Sequence, residues 1–393
     1  MIEILLGILI GVCFGIITGL IPGIHVNLIS TLAVAYAGIL AGFIPAGIAI
    51  AAIIGMAITH TFLDTIPSIF LGAPDAATAL SVLPGHRMLL EGEGMQAIKI
   101  TVLGSFIGLV FGIIAFPLTT TFLALFNASL SSHIDELLAI ACVFIILSSA
   151  NKPWAIAIFS FSGILGYITL NSNLENPLFP LLTGFFGIST LLFSAKSQTK
   201  IPAQKNSWIT IKSKDLSFSG IIGSISGFLT GILPGLGAST AAAVGSSIKK
   251  DTDTKGFLIM IGAISTVNFF ISIAALQAIN KARNGAIIAV RSLATINNYY
   301  VLIIMCAIAA GLAGLISTRI SKKFLLTIQK VKYSKLVYST VSFLTMMTFV
   351  LSGFSGLVIM AVSCVIGIIA NRKGVSKNTM MACILIPVII YFL

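Results

Sequence analysis

The chain has 393 residues, of which 57% are hydrophobic and only 9% charged, with a formal net charge of +12 and a mean hydropathy of +1.10. A soluble globular chain carries about 25% charged residues, so a soluble enzyme and a nucleic-acid-binding protein are excluded, and the surplus of Lys and Arg reads as the cytoplasmic loops of a membrane protein. The five cysteines are scattered through apolar segments without a Cys-x-x-Cys pair, which supports neither a zinc knuckle nor a disulfide framework.

Apolar runs of about 20 residues, enough to cross a bilayer as helices, recur from end to end, so the fold class is an all-α polytopic membrane protein. The first half carries runs near 2–21, 24–42, 46–72, 96–127, 134–150, 153–170 and 177–195. MIEILLGILIGVCFG at the N-terminus has no basic residue ahead of its apolar run and reads as a retained first helix rather than a leader. TGLIPGIHVNL (18–28) then interrupts the pattern, because Pro22 removes an amide donor and Gly23 loosens the backbone. IIGMAITHTF (53–62) leads into a small, polar stretch, APDAATALSVLPGHR (73–87). A polar linker, AKSQTKIPAQKNSWITIKSKD (195–215), closes this half.

The second half carries runs near 218–233, 236–248, 256–279, 297–318, 336–352, 355–370 and 378–393. TGILPGLGAST (230–240) breaks it between the first and second run, as in the first half. MIGAISTVNF (260–269) resembles 53–62, and NKARNGAIIAVRSLA (280–294) falls where 73–87 does. Internal duplication is the reading: membrane repeat 1 (1–195), a cytoplasmic linker (196–217) and membrane repeat 2 (218–393). With the linker inside the cell membrane and the runs alternating outward, every one of the 23 Lys and Arg except Lys281, Arg283 and Arg291 falls on the cytoplasmic side. An odd number of runs per half makes the halves inverted, and they stay so if each Pro-Gly segment re-enters rather than spans. Inverted repeats meeting near the midplane are a common build of secondary transporters.

In lipid, freed backbone groups are costly unless protein or water covers them, so two matched breaks point to a functional cavity. A helix begun after a break presents free amides and the positive end of its dipole, which suits an anion. The expected substrate contacts are Pro22, Gly23, His25 and Asn27 from the first break and Pro234, Gly235, Gly237, Ser239 and Thr240 from the second. Lys281 and Arg283 add cationic groups matched to carboxylate or phosphate. Asp75 falls near Arg283 when the repeats are aligned, and a pair across the pseudo-twofold is the competing reading of both. His60 and Asp64, four residues apart on one helix face, and Asp75 are candidates for proton coupling; Thr59, Thr266 and Asn268 offer oxygen atoms to Na⁺. No cofactor is expected. Neither His-Glu-x-x-His nor Gly-x-Ser-x-Gly occurs, and His25 with His60 and Asp64 is the one candidate metal cluster.

GVCFGIITGLIPGIHVNLIS (11–30) resembles the N-terminal signature of the large permease of the tripartite tricarboxylate transporter family. IFLGAPDAATALSVLPGHRMLLEGEGMQAIKITVLGSFIGLVFGI (69–113), PLFPLLTGFFGISTLLFS (177–194) and GSISGFLTGILPGLGASTA (223–241) resemble its later motifs. Pro74-Asp75-Ala76 stands where that family has Pro-Gly-Thr, and Leu83-Pro84-Gly85-His86 where it has an Asp-Gly turn. The resemblance implies alternating-access uptake of a di- or tricarboxylate with H⁺ or Na⁺, alongside a small membrane subunit and an extracytoplasmic binding protein. A flippase for a lipid-linked phosphate would have a similar build, and an intramembrane enzyme is the more distant alternative.

Overall fold

The computed structural model describes residues 2–21, 44–71, 82–147, 149, 151–194, 202–205, 211, 213–232, 241–242, 245, 253–281, 284–294, 298–330, 333–375 and 377–392. In the first half α1 (Ile2–Leu20), α2 (Ala46–Leu63), α3 (Thr65–Leu71), α4 (Val82–Leu90), α5 (Gly94–Ser132), α6 (Ile134–Leu147), α7 (Lys152–Leu170) and α8 (Leu178–Leu182) are followed by a π-helical turn (Thr183–Ile188) and α9 (Ser189–Ser194). In the second half α10 (Ser213–Ile232), α11 (Thr254–Ile279), α12 (Gly285–Leu293), α13 (Tyr299–Ile328) and α14 (Tyr333–Arg372) precede a 3₁₀ turn (Lys377–Met381) and α15 (Ala382–Phe392). No strand occurs among the described residues, and eight helical segments, with α2 and α3 taken together, are long and apolar enough to cross a membrane. The protein is an all-α polytopic membrane protein.

Most apolar runs appear as helices within a few residues of their expected limits. The runs at 24–42 and, apart from Ala241, Ala242 and Gly245, 236–248 lie outside the described residues. Two short amphipathic helices, α4 and α12, occupy the stretches read from sequence only as small and polar. Asn284 caps α12, its side chain accepting from the Ile287 amide at 2.8 Å. The run at 46–72 divides at Asp64 into α2 and α3, and α13 continues ten residues past 318 through a cationic extension with Arg319, Lys322 and Lys323.

Helix α14 is two arms, not one rod. Gly353 has φ 61° and ψ −161°. Thr348 Oγ1 contacts Met360 Sδ at 3.2 Å, although twelve residues of straight helix would separate them by about 18 Å. The chain therefore folds back at Gly353, and each arm of about 30 Å matches the hydrocarbon thickness of a bilayer. Asn176 braces the tip, donating from Nδ2 to Leu351 O and accepting at its carbonyl from Ser352 Oγ.

Glycine rows set the closest helix contacts and fix their directions. Along α1, Gly7, Gly15 and Gly19 lie against Ile48, Thr59 and Leu63 of α2 in rising order, so α1 and α2 run parallel. Along α10, Gly223, Gly227 and Gly231 lie against Met260, Val267 and Ile271 of α11, again parallel. Gly108 and Gly112 of α5 meet Ala263 and Phe270 of α11, so these two are parallel as well. The order reverses elsewhere. Gly94 meets Phe70 while Phe106 stacks edge-on with Phe62, so α5 is antiparallel to α2–α3. Phe106 meets Gly314 and Phe116 meets Tyr300, so α5 is antiparallel to α13.

Since α1 and α2 are parallel, Leu20 and Ala46 lie at opposite ends of the length of α2, about 27 Å. Ile232 and Thr254 are likewise placed towards opposite ends of α11.

The most deeply buried spans are α11 and α2–α3. Around them α1, α4, α5, α10, α12 and α13 form the main apolar core; α6, α7, α8, the end of α14 and α15 form a second cluster beside it. The linker is tied down between the halves. Gln204 accepts from Gly94 N at 2.7 Å and donates to Leu89 O at 3.0 Å, while Gln329 at the end of α13 donates to Pro202 O at 3.1 Å.

Candidate functional site

A buried polar cluster forms where the ends of α1 and α2 meet. Close packing at Gly15 and Gly19 brings Thr18 of α1 against α2, and Thr18 Oγ1 stands 3.1 Å from His60 Nδ1. The same hydroxyl donates to Gly15 O at 3.3 Å. Asp64 follows His60 by one turn, at the joint between α2 and α3, its amide donating to His60 O at 2.8 Å and its carbonyl accepting from Ser68 Oγ at 3.1 Å. Thr18, Thr59, His60, Asp64, Thr65 and Ser68 are all buried. So many polar groups in an apolar bundle carry a high desolvation cost, and ionisable residues at membrane depth face a cavity or a partner.

The second half repeats part of this arrangement. Thr230 Oγ1 donates to Gly227 O at 3.0 Å, as Thr18 does to Gly15. Thr266, aligned with Thr59, is buried and donates to Gly262 O at 3.1 Å, and Asn268 beside it is half-buried. The repeat stops there: Val267 and Ile271 stand where the first half has His60 and Asp64.

Gly19 and Gly231 both lie inside the span. Leu63, beside Gly19 at the end of α1, is seven residues short of Phe70, about 10 Å. Ile271, beside Gly231 at the end of α10, is eight residues short of Ile279, about 12 Å.

Of the residues expected at the site, the structure brings His60 and Asp64 together and adds Thr18, which sequence reasoning left out although Thr precedes the Gly in both Pro-Gly motifs. Thr266 and Asn268 lie on α11, the counterpart of α2. Lys281 is exposed just beyond α11, where Asn280 adopts a left-handed conformation and ends the helix. Pro22, Gly23, His25, Asn27, Asp75, Pro234, Gly235, Gly237, Ser239, Thr240 and Arg283 lie outside the described residues, and so does the Asp75–Arg283 pair. Among the described residues no three His, Cys, Asp or Glu side chains form a group able to hold a metal ion.

The family model for the tripartite tricarboxylate transporter TctA family matches residues 5–382, nearly the whole chain. The chain belongs to the TctA family. It is also 32% identical over 351 residues to MJ1079, an uncharacterized protein of Methanocaldococcus jannaschii, a match covering 87% of this chain and 88% of that one. No solved structure matches it. As a TctA-family member the protein is a membrane component of a tripartite transporter, and such a system implies a binding protein and a small subunit as partners.

Proposed function

We propose that this TctA-family protein is a secondary active permease of the cell membrane. It moves a small organic anion, a di- or tricarboxylate, by alternating access with H⁺ or Na⁺ coupling, and residues 196–217 face the cytoplasm. One observation carries this reading: the helix contacts survive an exchange of the two halves. α1 lies on α2 as α10 lies on α11; α5 crosses α11 as α13 crosses α2; α12 meets α2 as α4 meets α11; and α1 touches α13 as α10 touches α5. The matched helices run in opposite directions, α2 against α11 and α5 against α13. That supports two inverted repeats around a shared centre, the build in which transporters hold substrate near the midplane.

On this reading the positive ends of two helices begun after Pro22-Gly23 and Pro234-Gly235 approach one anion from opposite leaflets. Arg283 adds a guanidinium fork and Lys281 a point charge. The test is uptake of labelled di- and tricarboxylates into proteoliposomes under imposed Na⁺ and pH gradients, with the partner subunits supplied. Gradient-driven uptake in wild type, lost in Arg283→Gln and Gly235→Leu, is the expected result. Uptake of no carboxylate under either gradient refutes the assignment.

A further inference from the structure

Resting on that transport reading, we propose that the coupling ion is a proton carried by His60, held between Thr18 and Asp64. The Thr18 hydroxyl has one hydrogen, which it gives to Gly15 O, so towards His60 it accepts. Nδ1 therefore bears the N–H, and Nε2 is the nitrogen that takes and releases the proton. Asp64 lies on the same face one turn on, and both Asp64 Oδ1 and His60 Nε2 are buried atoms. The site is about 15 Å from the Phe70 end of a 25-residue span, well inside the membrane.

The chemistry couples proton to anion. In the proposed cycle the empty site holds the Asp64 carboxylate beside a neutral His60, one net negative charge near the end of α1. An anionic substrate is repelled there. A proton from the water on the loading side, taken by Nε2, turns the site into an imidazolium–carboxylate pair with no net charge, and the anion is then admitted; on the far side Nε2 returns the proton to water. The second half keeps the Thr230 hydrogen bond but has buried Val267 and Ile271 at the aligned positions, so among the described residues the pair is not repeated there.

The surrounding helices bring no second carboxylate–imidazole pair. Those packed on α2 are α1, α3, α5, α11, α12 and α13. α1 carries Glu3, fifteen residues and about 22 Å from Thr18, and the exposed Cys13. Lys99 lies on α5, Lys255 on α11 and the exposed Arg291 on α12; α13 carries the buried Cys306, Tyr299, Tyr300 and the cations of its C-terminal extension. None of the described residues of α3 is titratable.

The experiment uses reconstituted protein with its partner subunits, a trapped pH dye and the same labelled carboxylates. In wild type, substrate addition moves protons with it, and uptake depends on pH. His60→Asn keeps an N–H for Thr18 but cannot titrate there; it loses substrate-coupled proton movement and the pH dependence. Asp64→Asn, the second variant, loses the coupled proton movement too, and thermal unfolding of both variants confirms that they fold. Carboxylate uptake driven by Na⁺ without proton movement, or protons still moving in both variants, overturns the proposal and leaves the transport reading standing. Absence of uptake in wild type under every gradient overturns both.

Discussion

Replacing Gly108 by Ala tests whether the α5–α11 contact is as close as the fold requires. A Cβ at Gly108 would stand 2.5 Å from the carbonyl oxygen and 2.9 Å from the Cα of Ala263, all backbone atoms of a buried helix. No side chain can turn aside, so the helices must separate by several tenths of an ångström or more. Overpacking of this kind costs about 1–3 kcal/mol, and the neighbouring contacts of Gly104 and Gly262 along the same seam loosen with it. Against this, Ala gains about 1 kcal/mol of helix propensity over Gly. Gly311, in the interior of α13, supplies the matched control, because a Cβ there meets nothing within 4 Å. Gly311→Ala keeps the propensity gain without the clash, so the two variants should differ by about 1–3 kcal/mol. The assay is thermal unfolding of detergent-solubilised protein, with Gly108→Ala melting several degrees below Gly311→Ala. Equal midpoints, or Gly108→Ala the more stable, would refute the parallel glycine seam and the helix directions derived from it.

Three other perturbations probe separate parts of the fold. Gly353→Ala places a Cβ in a backbone region that is essentially glycine-only, so the α14 hairpin should lose about 1–3 kcal/mol by thermal unfolding, although space around the residue is open. Gln204→Ala removes the bonds to Gly94 N, Leu89 O and Pro202 O, each with a net worth of about 0.5–1.5 kcal/mol; tryptic cleavage at Lys205 should accelerate while the global melting point stays put. Burial holds the His86 imidazole below its ordinary value of 6.5, the bond to Ile69 O opposing it only in part. The docked helix α4 thus keeps His86 neutral and the released form binds the proton more readily. Docking is complete above about pH 6.5 and weakens as pH falls towards the depressed value. Amide exchange in α4, corrected for intrinsic rates, should rise over that window in wild type and lose the dependence in His86→Asn.

The sequence made the helices legible because a bilayer asks for length and apolarity, and both can be read residue by residue. It also placed a division between 352 and 355, where Gly353 turns the chain. The polar stretches were harder. α4 and α12 are nine residues each, too short for an apolar run, and their helicity rests on docking and, for α12, on the Asn284 cap. The Gln204 clamp was invisible because a polar linker carries no periodicity and its partners lie over a hundred residues away. At the site, spacing of four put His60 and Asp64 on one face, but the third member, Thr18, comes from another helix. Its only local sign was the Thr that precedes the Gly in both Pro-Gly motifs.

The glycine rows do not by themselves carry direction, and the reason is geometric. Glycines at every fourth residue name a face that another helix approaches, yet that spacing reads the same from either end of the helix. Gly7, Gly11, Gly15 and Gly19 would serve a parallel or an antiparallel partner equally well. Only the order of the residues opposite, Ile48 beside Gly7 and Leu63 beside Gly19, shows that α2 runs with α1. The same holds for α10 and α11, while the aromatic pairs at Phe62, Phe106 and Phe116 set the two halves head to tail. Matched helices that run in opposite directions are the condition under which two helix ends can address one anion from opposite leaflets. Charge counting along the chain argues for inversion from the loops; the packing argues for it independently from inside the bundle.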